Sequence, residues 1–303
     1  MLKQLSNLLM GGLAASALLL SSAQADWRKD FPEIRYAVTA SEAEADMNMR
    51  LGPFVAYMGR ELGVPVRIYR TTDYAAAVEA MRADQVEFFR VGPAAYALAD
   101  RVMGDKAQPI ATDVTPGGVR GYYSKVFVRA DSPFQRIEDL QGKVMAFVDP
   151  NSASGFQAPN YYLNQAGINP NSYFANTVFS GSHENSIMGV INGQFDAAFN
   201  WWHNDNRSNP HRMADKGMIN LDDLRIIWSS EMIPNTPYVA RGDLPEELKE
   251  LFVQALIDMP VKDPDAWQAL TDGQVEGVVR ATRDDYLDII AITEANQAER
   301  RRR

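Results

Sequence analysis

Residues 149–156 read DPNSASGF: an acidic turn, two serines around an alanine, a glycine and an aromatic. They follow an apolar, strand-like run, KVMAFV at 143–148, and precede a segment of helical character at 155–165. A strand that feeds directly into a helix start is the repeating unit of an α/β fold. A helix start also leaves about four backbone N–H groups unpaired, and these, with the helix dipole, favour a negative ligand. Ser152 and Ser154 add hydroxyl donors and Gly155 admits a close backbone approach. Pro159 lacks an N–H, so the regular ladder is interrupted just behind them. Taken alone, the stretch also reads as an ordinary serine cap with no ligand.

The next unit repeats the pattern. SGSHEN at 180–185 is again a strand-to-helix junction, with Ser182 or His183 at the cap and His183 able to donate to an anionic oxygen. Two successive junctions place both helix starts at the carboxyl ends of parallel strands, where open α/β sheets bind ligands. FDAAFNWWHND at 195–205 ends a third strand, so Trp201, Trp202 and His203 are expected to face the same crevice as a wall against an organic group, with core packing the alternative. Earlier in the chain, Asp73-Tyr74 opens a helix and Arg90 stands beside Val91-Gly92-Pro93. A tyrosine hydroxyl is a good anion donor; Arg90 serves the ligand or pairs with an acidic neighbour.

Working outward, short strand patterns alternate with helical ones from Ile34: IRYAVTA, then Leu51, Phe54, Val55, Met58 and Leu62 at helical spacing, VPVRIYR, DYAAAVEAMRAD, VEFFRVG and PAAYALADRVM. The rhythm changes at 109–130, where two extended runs flank Pro116-Gly117-Gly118, and again at 232–245; between these the alternation resumes. The expectation is two α/β lobes, each a mostly parallel sheet flanked by helices, joined by extended crossings near 119–128 and 229–240. Residues 26–122 begin lobe 1, 123–235 form lobe 2, and 236–303 return to lobe 1 as helices, leaving the cleft between lobes.

The first twenty-five residues carry one lysine, an apolar middle and Ala23-Gln24-Ala25, the form of a secretory signal with cleavage after Ala25. Formal charge is −9, or −10 once Lys3 leaves with the signal, which argues against nucleic acid or an anionic membrane as partner. Without cysteine there is no disulfide, thiolate metal site, cysteine nucleophile or cysteine-linked lipid anchor. A free periplasmic monomer is expected, with ERRRR at 299–303 a frayed tail.

DPNSASGF, SGSHEN…GQFDAAFN, DYAAAVEAMR, RVGPAAYALADR and RGYYSKVFV together resemble the phosphonate- and phosphite-binding proteins of bacterial ABC importers, in order and spacing, from about Ile34 to Leu251. The resemblance implies a type II two-lobed periplasmic binding protein that closes on a small phosphorus-containing anion and delivers it to a permease, with no cofactor. The family's Ser-Thr-Ser run becomes Ser152-Ala153-Ser154, its histidine becomes His183 and one first-lobe tyrosine becomes Tyr74. Its second tyrosine appears as Val91, and the two carboxylates that hold a ligand's ammonium appear as His203 and Thr236. This implies a preference away from primary amines, with phosphite, phosphate, sulfonate or a phosphate ester as alternative ligands. A rival enzyme reading uses Ser152 or Ser154 with His183 as base, or a metal on His183, His203 and His211; neither has a supporting motif.

Overall fold

The structure, a computed structural model, describes residues 26–39 and 44–302. The expected signal and Arg303 lie outside them. Strands β1 (Ile34–Thr39), β2 (Val66–Thr71) and β3 (Phe88–Phe89) alternate with α1 (Glu44–Leu62), α2 (Tyr74–Arg82) and α3 (Pro93–Met103), and β4 (Ala107–Val114) follows. Along α1, Met47, Leu51, Phe54, Met58 and Leu62 fall on one face, and all are buried against β1 and β2.

A turn through Gly117 and Gly118, both at positive φ, leads to the second sheet. It comprises β5 (Gly121–Arg129), β6 (Val144–Phe147), β7 (Asn176–Phe179), β8 (Ala197–Asn204), β9 (Arg207–Ser208), β10 (Leu224–Ser229) and β11 (Ile233–Pro234). Helices α4 (Ala158–Gln165), α5 (Pro170–Tyr173), α6 (His183–Ile191) and α7 (Asn209–Asp215) lie between these strands. The chain returns as β12 (Pro237–Arg241), α8 (Glu246–Lys262), α9 (Pro264–Thr271), β13 (Gly277–Arg280) and α10 (Leu287–Arg301).

The first sheet runs β13-β4-β12-β3-β1-β2 and the second β10-β5-β8-β6-β7. Two α/β lobes are therefore present, but parallel pairing is confined to β3-β1-β2 and β8-β6-β7. The expectation of mostly parallel sheets is corrected: β4, β5, β10, β12 and β13 pair antiparallel to their neighbours. β13 itself corrects the expectation of helices alone at the C-terminal end.

The crossings are shorter than expected, 115–120 and 235–236. They lie side by side, with Asn235 N–H donating to the Arg120 carbonyl (2.9 Å) and its side-chain amide to the Asp113 carbonyl (2.9 Å). Each lobe has an aromatic core: Phe88 stacks on Phe252 in the first (3.9 Å between centroids) and Phe147 on Phe199 in the second (5.2 Å). A third cluster, including Tyr74, Val91, Tyr122, Ala153, Ala158 and Ile289, spans both lobes. Helix α10 contributes to it. Asn296 accepts from Asn160 (2.8 Å) and donates to the Gln157 carbonyl (2.8 Å), so this helix grips the second lobe as well as α3. Glu299, Arg300 and Arg301 continue it as regular helix, which corrects the fraying expected there.

Candidate functional site

A cavity of about 200 Å³ lies between the lobes and is lined from both. At its second-lobe end the chain leaves β6 through DPNSASGF and does not begin an ordinary α-helix. Residues Ala153–Gln157 form a π-helical turn, with the N–H groups of both Phe156 and Gln157 donating to the Ser152 carbonyl (3.1 and 2.9 Å). Ser152 Oγ caps it by accepting from Gly155 N–H (3.0 Å). Pro159 has no N–H to offer the Ser154 carbonyl, which instead accepts from Ser124 Oγ of β5 (2.6 Å). The N–H groups of Ala153 and Ser154 are left without acceptors among the described residues. Gly155 has a different use from the one expected. A Cβ there would lie 2.6 Å from Val148 Cγ2 and 2.7 Å from Ser152 Oγ, so the close approach is to the protein's own strand and cap.

Helix α6 opens the same way. Ser182 caps it through Asn185 N–H (3.0 Å), leaving the N–H groups of His183 and Glu184 without acceptors among the described residues. The buried His183 ring is fixed by Asn200 of β8. Asn200 Nδ2 donates to the His183 carbonyl (2.8 Å), and its Oδ1 accepts from Trp201 N–H (3.0 Å) and lies 2.9 Å from His183 Nδ1. Oδ1 is an acceptor only, so Nδ1 carries the proton and the other nitrogen, Nε2, presents a lone pair. Burial pushes the His183 pKa down to about 4, with the Asn200 bond resisting. The expectation that His183 donates is thus corrected for the neutral ring.

Opposite, Asp73 caps α2 (2.7 Å to Ala76 N–H) and Tyr74 reaches into the cavity. Its ring packs on Gly92, where a Cβ would come within 3.3 Å; Gly92 also holds φ at 114°, which excludes a larger residue twice over. Burial pushes Tyr74 up to about 12, hydrogen bonding to Ser152 pulling the other way. Tyr122, at the start of β5, is likewise raised by burial and meets Ser154. Both tyrosines therefore keep their protons; Tyr74 meets Ser152 across the cleft, and Tyr122 meets Ser154 within the second lobe.

Strand alternation sorts the aromatic corner. Trp201 and His203 line the cavity, their rings 5.6 Å apart, and His203 lies 5.2 Å from Tyr122. Trp202 does not. It faces the other side of β8, against Phe127, His211 and the ammonium of Lys125, so its expected ligand role is corrected to packing. Arg90 lines the cavity but is ion-paired with the buried Asp113, which also accepts from Tyr238 (3.2 Å). Thr236 and Val91 also line the cavity.

Arg207 and Arg212, on β9 and α7, are the residues sequence reading missed. Arg212 pairs with Asp272 across the cleft (3.1 Å). Arg207 forms no ion pair within 4 Å among the described residues, its Nε has no acceptor, and burial lowers its pKa. Burial first, then Arg207 and Arg90, depress His203 to about 3. The cavity thus joins three helix starts, two tyrosine hydroxyls and an unpaired guanidinium, a set suited to an anion.

The family profile described as "ABC transporter, phosphonate, periplasmic substrate-binding protein" matches residues 36–286. This chain belongs to that family. Among its relatives, the phosphate-import protein PhnD of Mycolicibacterium smegmatis is 30% identical over 312 residues, 95% of each chain. The phosphonates-binding periplasmic protein of Escherichia coli is 31% identical over 254 residues, 82% of this chain and 72% of that one. A crystal structure of a binding protein component of an ABC phosphonate transporter from Pseudomonas aeruginosa superposes with a TM-score of 0.77 at 25% identity, covering 88% of this chain and 87% of that one. The phosphonate-binding family is one of periplasmic transport components, and the two-sheet architecture here is that of its type II members.

Proposed function

We propose that this chain captures a phosphonate-type oxyanion in the cleft and passes it to an ABC permease in the inner membrane. It works as a free periplasmic monomer, 26–122 and 236–303 forming one lobe and 123–235 the other, after cleavage following Ala25. The observation that carries the reading is the convergence of unpaired N–H groups of Ala153, Ser154 and His183 with the hydroxyls of Tyr74 and Tyr122. Relatives named for phosphonate and for phosphate support a phosphorus oxyanion as ligand class. Closure follows from the ligand's preference for the state in which both lobes contact it.

The far end of the cavity excludes an ammonium. Among the described residues its carboxylates are committed, Asp113 to Arg90 and Asp272 to Arg212, and Arg207 adds a cation with no carboxylate partner. A neutral or anionic substituent fits. Binding without catalysis is the reading favoured here, because among the described residues no hydrogen bond links either serine hydroxyl to His183 and both serines meet tyrosines.

Calorimetry of residues 26–303 against methylphosphonate, phosphite, phosphate, aminoethylphosphonate and methanesulfonate tests this. Tight binding of a phosphorus oxyanion is expected, with aminoethylphosphonate weaker than methylphosphonate and Ser154→Ala costing about 1.5–3 kcal/mol. Failure of every phosphorus ligand refutes the reading, and turnover of any refutes a pure binding role.

A further inference from the structure

A bare anion offers no donor to the lone pair of His183 that faces the cleft. His183 Nε2 is a lone pair, because Asn200 Oδ1 is held as an acceptor by Trp201 N–H while Asn200 Nδ2 is occupied by the His183 carbonyl. Turning the amide over would set donor against donor at Trp201 N–H and acceptor against acceptor at the His183 carbonyl. The tautomer is thus fixed by three hydrogen bonds, and a fully ionised oxygen approaching Nε2 meets lone pair with lone pair.

The surroundings offer no means of making His183 an imidazolium before ligand arrives. On its own helix, Glu184 is paired with Lys216, the C-terminal cap of α7 (3.6 Å). From β8 the neighbouring titratable group is His203, itself neutral. From β5, Lys125 lies over the Trp202 ring, on the far face of the sheet. On α7, His211 Nδ1 is bonded to Ser208 Oγ (2.7 Å) and Arg212 is paired with Asp272. Across the cavity stand the protonated Tyr74 and Tyr122, the Arg90–Asp113 pair, Arg50 and Arg207. Among the described residues the carboxylates that line the cavity are Asp113 and Asp272, held by Arg90 and Arg212.

Resting on the phosphorus-oxyanion reading above, we propose that the cleft takes its ligand together with one proton: the singly ionised species binds, its P–OH donating to His183 Nε2. The remaining oxygens accept from Ala153 N–H, Ser154 N–H and the tyrosine hydroxyls. A doubly ionised phosphonate enters only by gaining a proton from solvent, so each binding event above the ligand's second ionisation takes up one proton. A sulfonate has the same tetrahedral shape but no proton to bring. His183 thereby discriminates phosphonates from sulfonates, and singly from doubly ionised ligand.

The test is calorimetry of the mature protein with methylphosphonate on either side of that ionisation, each in two buffers of different ionisation enthalpy, with methanesulfonate alongside. The expected result is no proton uptake below, one proton above, and an affinity that falls about tenfold per pH unit above. Methanesulfonate is expected to bind about a hundredfold more weakly than methylphosphonate. In His183→Gln, whose amide can turn a donor to the ligand, uptake should vanish and the sulfonate handicap shrink. Binding of methylphosphonate without uptake, uptake that persists in His183→Gln, or equal affinity for the sulfonate each overturns the inference while leaving the anion site standing. No binding of methylphosphonate, phosphite or phosphate overturns both.

Discussion

The ligand-free protein should lose stability on mild acidification through His183, and a substitution isolates the effect. In the folded state its pKa is near 4, against an ordinary value of 6.5. Because the folded value is depressed, the unfolded chain binds the proton first as pH falls through about 6.5. Stability is therefore present above that value and declines below it. Between about pH 7.5 and about pH 5.5 the loss is about 1.3 kcal/mol, and the full ~3.4 kcal/mol is reached only below the folded value. At the milder pH the magnitude depends on the unfolded pKa alone, provided the folded one lies well below. Urea unfolding of ligand-free wild type and His183→Gln at both pH values gives the measurement. Other titrating groups are common to both proteins and cancel, so wild type should lose about 1.3 kcal/mol more than the variant. Curves that move in parallel with pH would refute a buried, neutral His183.

Gly155→Ala places a methyl against Val148 and Ser152, and should cost about 1–3 kcal/mol in thermal unfolding while weakening anion binding; wild-type stability would show that the turn tolerates a Cβ. Ser124→Ala leaves the buried Ser154 carbonyl unpaired and should destabilise by about 1–3 kcal/mol, read by urea unfolding; an unchanged midpoint would mean that another donor replaces it. Trp202→Ala should lower stability by about 2–3 kcal/mol with ligand affinity kept, and Trp201→Ala should do the reverse; the opposite pattern in paired unfolding and calorimetry would reverse their assignment.

The helix starts at Tyr74, Ser152 and His183 were legible because they are local: a cap, an apolar period and a preceding strand lie within a dozen residues. What depends on distant partners was not. Arg90 is neutralised by Asp113, twenty-three positions away, and His183 donates to Asn200 instead of the ligand. Trp201 and Trp202 look equivalent in sequence, yet a one-residue difference puts them on opposite faces of β8. Arg207 escaped notice because NDNRSNP reads as a loop; it is the return of the β8–β9 hairpin that brings it back to the cavity. The antiparallel strands were missed for a related reason, since a crossing segment has strand character without declaring its neighbours.

The π turn at Ala153–Gln157 holds one residue more than an α-helical turn would. Shortening the segment by one residue would let α4 begin as an ordinary helix, with better backbone geometry but its first amides rotated away from the cavity. Selection for thermal robustness alone would thus favour deletions here, and a library screened only for heat resistance should recover them as stable proteins blind to phosphonate. The irregularity persists under natural selection only as long as capture is what is being selected, which makes the length of this turn a readable record of use.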